Sequence, residues 1–172
     1  LIVHIITATS IVYLFPPARM NSSLSEMLRS FFSTHSSRWW ILRIFVAGAL
    51  YLPVYLFFGA LFSPIIVPFY TDPSYGLELV IPPFEIIVPL EIARGIVYVI
   101  LLIPVIASVN LDRRKQSLLL AAILFCVGAL PGLLANQMWP VLLRLAHGLE
   151  IAADSLVYGY VILKIIKKHK TQ

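Results

Sequence analysis

Six charged or chargeable side chains, Glu91, Arg94, Arg144, His147, Glu150 and Asp154, stand inside stretches of sequence that are otherwise apolar. A charge at the centre of a bilayer costs about 2.5–3.5 kcal/mol even on the mild insertion scale, so such groups turn inward and find partners. At about 100° per residue, and counting from Arg144, His147 falls near 300°, Glu150 near 240° and Asp154 near 280°. These three share one helical face, with Arg144 at its edge. Gly148, Ala152, Ser155 and Gly159 make a separate smooth stripe suited to close helix packing.

Three kinds of chemistry fit this set. Intramembrane Asp, Glu and His line ion pathways and proton relays, so one reading is a site that binds or passes a small polar solute, an ion or a proton. The alternative is a structural ion-pair network in a membrane assembly or partner-binding protein. A third reading, a membrane-embedded enzyme acting on a lipid-like substrate, would use His147-x-x-Glu150 with Asp154 and Glu91 as a metal shell. Two neighbouring arginines speak against a cation there and for a carboxylate or anionic headgroup instead. No metal, cofactor or catalytic residue is assigned, because no His-Glu-x-x-His pair, nucleophile motif, nucleotide loop, haem motif or lipidation signal is present. Ser155 and Cys126 read as small buried packing residues, and His35 as a loop residue with no partner.

The elements that carry these residues are set by composition. The 172 residues are 60% hydrophobic and 12% charged, with a mean hydropathy of +0.92. A soluble domain carries about 25% charged residues, and one small core cannot hide this much apolar surface. Low charge and high hydrophobicity also exclude disorder, and the single cysteine, Cys126, excludes a disulfide scaffold. The class is an all-α membrane protein, because the apolar runs are continuous and lack the alternation of transmembrane strands.

A span needs about 20 apolar residues, and the runs are 1–15, 39–62, 86–108, 118–138 and 141–163. The expected fold is therefore a bundle of 4–5 transmembrane helices. The first run is short and the chain opens on Leu1, so 1–15 reads either as part of a span or as upstream sequence before a start at Met20. Residues 16–38 then form a cytoplasmic segment with a short surface helix, its apolar side made by Leu24, Leu28, Phe31 and Phe32. Residues 164–172 are a basic cytoplasmic tail.

Orientation follows from the positive-inside rule. Arg19, Arg29, Arg38 and Arg43 lie before or just inside the second run, Arg113, Arg114 and Lys115 in the next turn on that side, and Lys164, Lys167, Lys168 and Lys170 at the end. The loop 63–85 has Asp72, Glu78 and Glu85 and no Lys or Arg. The C-terminus is thus expected in the cytoplasm of a plasma membrane, most simply a bacterial inner membrane. Topology accounts for the net charge of +5, and no nucleic-acid partner is inferred. Partners are the lipid bilayer and, since so few spans make a small transporter, a second copy of the chain or another membrane protein.

Residues 63–85 carry Pro64, Pro68, Pro73, Pro82 and Pro83, which argues against a further helical span. Their expected place is the membrane surface, with Phe69, Tyr70, Tyr75 and Phe84 at the headgroup level; a lid over an outward-facing cavity is the other placement. Pro53, Pro104 and Pro131 mark expected kinks. Gly128-x-x-x-Gly132 reads as a helix-packing motif.

Depth completes the expectation. At about 1.5 Å per residue, Glu91 and Arg94 lie about 7 and 12 Å into their run, and Arg144, His147 and Glu150 about 4, 9 and 13 Å into theirs. Contact between 86–108 and 141–163 follows, with Glu91 paired to Arg144 or His147 and Arg94 to Glu150. Asp154 has no evident partner. The two runs also share the tetrapeptide Leu-Glu-Ile-Ala at 90–93 and 149–152, each followed by Val-Tyr, a repeat too short to establish a duplication.

Overall fold

A computed structural model describes residues 23–167, and the expected first run lies outside the described residues. Helix α1 (Leu24–Ser33) is amphipathic and begins with a capping box. The Glu26 amide donates to Ser23 Oγ at 3.3 Å and the Ser23 amide to Glu26 Oε2 at 2.8 Å, satisfying two donors that a helix start otherwise leaves orphaned. Trp40 Nε1 donates to the Phe32 carbonyl at 2.9 Å, tying α1 to the next helix. His35 is not alone: it stacks on Trp39 with ring centroids 3.8 Å apart and bonds Thr34 Oγ1 at 2.9 Å.

Helices α2 (Ser37–Ala49) and α3 (Tyr51–Ile66) form one rod with a break at Leu50. Pro53 explains the break, since it cannot donate to the Ala49 carbonyl one turn earlier. The rod extends four residues beyond the expected end at Phe62. Pro64 is accommodated inside α3, and Pro68 opens the short helix α4 (Pro68–Thr71) as its first residue, so the early prolines of the loop are compatible with helix. A 3-10 turn follows at Pro73–Tyr75. There the Ser74 hydroxyl and amide hold the Asp72 carboxyl below its ordinary range, and Gly76 takes the left-handed conformation, φ 63°, that reverses the chain.

Helix α5 (Phe84–Ser108) runs uninterrupted through Pro89 and Pro104. Helix α6 (Arg113–Ile123) starts on Asp112, whose carboxylate accepts the Lys115 amide at 3.0 Å. It widens into a π-helical turn (Leu124–Ala129) before α7 (Leu130–Ala135). Pro131 lies at the start of α7, and the donor it lacks removes the bond that would keep the preceding turn regular. Helix α8 (Val141–Ile166) closes the chain.

Among the described residues there are no strands. Three helical stretches are long and apolar enough to cross a membrane, Ser37–Ile66, Phe84–Ser108 and Arg113–Ala135. Helix α8 is as long, at 26 residues, but its polar stripe makes it less apolar. Large apolar side chains such as Ile41, Phe57, Leu101, Leu118 and Leu145 point outward, as they do where lipid rather than water is the surrounding solvent.

The α1 end of the bundle is the packed end. Trp40, Ala47, Val99, Leu102, Ile103, Ile106, Leu120 and Ile162 build its core. Helices α2 and α5 cross at Gly48 and Gly95, where a Cβ on Gly95 would run into the Gly48 carbonyl and Tyr51. Helices α6 and α8 meet at Gly159, in the smooth stripe, whose missing Cβ leaves room for Ser117 and Ala121. Arg43 Nη1 donates to the Ile165 carbonyl at 2.9 Å, capping the last turn of α8. Buried Gln116 caps α5 in the same way, donating to the Ile106 and Val109 carbonyls at 3.3 and 3.1 Å while accepting from Lys167 Nζ at 2.7 Å.

Candidate functional site

At the loop end the helices part around an open-sided cavity of about 460 Å³, within the range of about 300–1,000 Å³ usual for small-molecule sites. Several elements line it. Helix α3 contributes Tyr51 and Tyr55, α5 contributes Arg94 and Tyr98, the π-turn and α7 contribute Gly128, Ala129 and Gly132, and α8 contributes His147, Glu150, Ile151 and Asp154. Tyr70 of α4 and Trp139 join the lining at the loop end.

His147, Glu150 and Asp154 do share one face, and that face looks into the cavity. Their partners are not those expected. Arg94 Nη1 binds Glu91 Oε2 at 2.9 Å, and His147 Nδ1 binds Glu150 Oε2 at 2.9 Å. Both pairs close within one helix at i,i+3 spacing. The expected contact of α5 with α8 is present, the Tyr158 hydroxyl donating to the Gly95 carbonyl at 3.1 Å, but the expected ion pairs between them are corrected: Arg94 and Glu150 line the same cavity, each bound to a partner on its own helix.

Asp154 is 3% exposed, and the hydroxyl of adjacent Ser155 is its partner at 3.2 Å. Glu91 is buried beside the cavity rather than in its lining. Arg144 is not part of the lining, and its Nε is buried with no hydrogen-bond partner. Among the described residues no three His, Cys, Asp or Glu side chains are grouped to hold a metal ion. Cys126 is exposed rather than buried.

The loop is more than an interfacial connection. Tyr75 and Phe84 are exposed as expected, but Phe69 is buried with Ile66, Leu143 and Ala146. Tyr70 reaches inward, its hydroxyl 3.3 Å from His147 Nε2. A chain Tyr70–His147–Glu150 thus joins the loop segment to α8 across the mouth of the cavity.

Sequence reasoning missed the aromatic wall. Tyr51 and Tyr98 meet edge-on with centroids 5.5 Å apart, Tyr51 and Tyr55 lie 6.3 Å apart, and Trp139 lies 5.6 Å from His147. A signal was available, because Tyr51 and Tyr55 are one turn apart in an apolar run and a tyrosine hydroxyl in lipid needs a polar neighbour. The Gly128-x-x-x-Gly132 packing motif is also corrected. A Cβ at Gly132 would meet nothing within 4 Å, and one at Gly128 would meet only the ring and hydroxyl of Tyr98. These glycines widen the cavity instead of bringing two backbones together.

No family model matches the chain, and no match is found among curated proteins or solved structures.

Proposed function

We propose that the protein is a multi-pass membrane protein in which α8 is a fourth span and the cavity binds or passes a small polar solute, an ion or a proton. The observation that carries this reading is the cavity of about 460 Å³ with Arg94, His147, Glu150 and Asp154 in its lining. Charges retained in a lipid-embedded bundle at this cost are explained by a ligand that uses them. Because neither pair bridges two helices, holding the bundle together is not a sufficient reason for them. The basic residues at one end and the acidic loop at the other support a cytoplasmic C-terminus and outward-facing cavity in a plasma membrane such as a bacterial inner membrane. Association with a second copy or another membrane protein is part of the same proposal.

The test is a thermal-stability screen of the detergent-purified protein against inorganic cations, small amines, amino acids and carboxylates. A ligand at 100 times its Kd adds about 2.7 kcal/mol. A solute that raises the melting temperature of the wild type but not of Asp154→Asn or Glu150→Gln supports the site. If every solute acts equally on all three proteins, the cavity is not a binding site.

A further inference from the structure

We propose that the solute is a small organic cation of the alkylammonium class, an inference that rests on the reading of the cavity as a solute site. Charge and ring chemistry point the same way. Arg94 is already matched by Glu91 at 2.9 Å, and the second arginine of the buried set, Arg144, lies outside the lining. The sequence argument against a cation therefore lapses on both counts. On the α8 wall stand two carboxylates, Glu150 at 8% and Asp154 at 3% exposure. Glu150 has His147 beside it, whereas Asp154 has only the Ser155 hydroxyl at 3.2 Å. A carboxyl group buried with one neutral donor is held in its charged form only by a positive partner.

Aromatic faces decide which kind of cation. Tyr51, Tyr55, Tyr70, Tyr98 and Trp139 all line the cavity, with Tyr51 5.5 Å from Tyr98 and 6.3 Å from Tyr55 between ring centroids. The ring quadrupole attracts a desolvated cation, and cages of such rings recognise quaternary ammonium groups. A bare inorganic ion instead needs a shell of several oxygens at short range, and a cavity of about 460 Å³ is too roomy for that. An alkylammonium group fits both surfaces at once, its charge toward Asp154 and its methyl or methylene groups against the rings.

The test is calorimetric titration of the detergent-purified protein at constant ionic strength with choline and with 3,3-dimethylbutan-1-ol, its uncharged carbon isostere. Choline is expected to bind and the isostere to bind at least about tenfold more weakly, a gap of about 1.4 kcal/mol. Asp154→Asn, which keeps the size of the buried side chain and is expected to fold, should weaken choline by a similar factor. Tyr51→Phe should keep choline binding and Tyr51→Leu should reduce it several-fold. Equal binding of choline and isostere, no loss in Asp154→Asn, or no choline binding at all overturns the proposal. If choline fails while another solute still stabilises the wild type through Asp154 or Glu150, the cavity remains a site for a different class; if both fail, both readings fall.

Discussion

Glu91 and Arg94 settle their charges one turn apart on α5, and His147 and Glu150 bond to each other at the same spacing on α8. Pairing at i,i+3 is available as soon as each helix forms, whereas a bridge between helices has to span the cavity that Arg94 and Glu150 both line. The consequence can be measured by charge reversal. Glu91→Arg and Arg94→Glu should each destabilise by on the order of 2 kcal/mol, less than the 3–5 kcal/mol for breaking a fully buried pair, because the Arg94 side chain is 40% exposed. The double exchange Glu91→Arg/Arg94→Glu should recover much of that loss. The exchange Arg94→Glu/Glu150→Arg should recover none; recovery there would mean that the pair bridges α5 and α8 after all. Tyr158 gives a second check at this scale. Fully buried, its hydroxyl donates toward the Ala47 and Gly95 carbonyls, both at 3.1 Å. Tyr158→Phe should cost about 1 kcal/mol, the net value of a buried hydrogen bond, read as a lower melting temperature in detergent.

At the scale of elements, two kinds of glycine have opposite meanings. Gly95 faces the Gly48 carbonyl at the α2–α5 crossing, and Gly132 faces open space. Gly95→Ala should cost about 1–3 kcal/mol as overpacking. Gly132→Ala should be neutral or stabilise by up to about 1 kcal/mol, the backbone entropy of glycine in a helix; equal losses at both sites would show that Gly132 is a packing contact. This difference also marks how far the sequence could be read. Hydrophobic run length placed the helical elements within a few residues, because the need for about 20 apolar residues is local and strong. The break near Pro53 and the irregular turn before Pro131 followed from a missing donor. The 3.6-residue repeat put His147, Glu150 and Asp154 on the face that lines the cavity. How far α5 and α8 stand apart at the level of Arg94 and Glu150 depends on side-chain volumes across several elements, and no spacing within one element reports it. Small-residue motifs are ambiguous for the same reason: Gly128-x-x-x-Gly132 has the pattern of a crossing without a partner helix seated on it, while Gly48 and Gly95, far apart in sequence, form the crossing. Pro64 and Pro68 misled in the other direction, since a proline with room around the carbonyl one turn earlier, or at a helix start, does not end helical structure.

For the molecule as a whole, the arrangement divides into a packed end around Trp40, Val99, Leu120 and Ile162 and a loop end that holds the cavity. The loop is joined to α8 through Tyr70 and His147 at 3.3 Å and rests on the apolar cluster of Ile66, Phe69, Leu143 and Ala146. If α8 spans the membrane with the three more apolar stretches, its Lys164 end lies on the same side as Lys115 and α1, and Ser74 lies on the opposite side with the cavity mouth. Single cysteines at Ser30, Ser74, Lys115 and Lys164, introduced in a Cys126→Ser background, test this in intact cells with a membrane-impermeant maleimide. Ser74→Cys should label from outside without permeabilisation. The other three should label only after the membrane is opened. If Lys164→Cys labels from the same side as Ser74→Cys, α8 does not cross, the polar stripe loses its reason to be enclosed by lipid, and the cost argument that makes its charges functional no longer applies. If Ser74→Cys and Lys164→Cys label from opposite sides and a further single cysteine at Gln137, between α7 and α8, labels from outside, all four long stretches cross, and the cavity opens on the face away from the basic residues, where a solute would first meet Tyr70, Trp139 and His147.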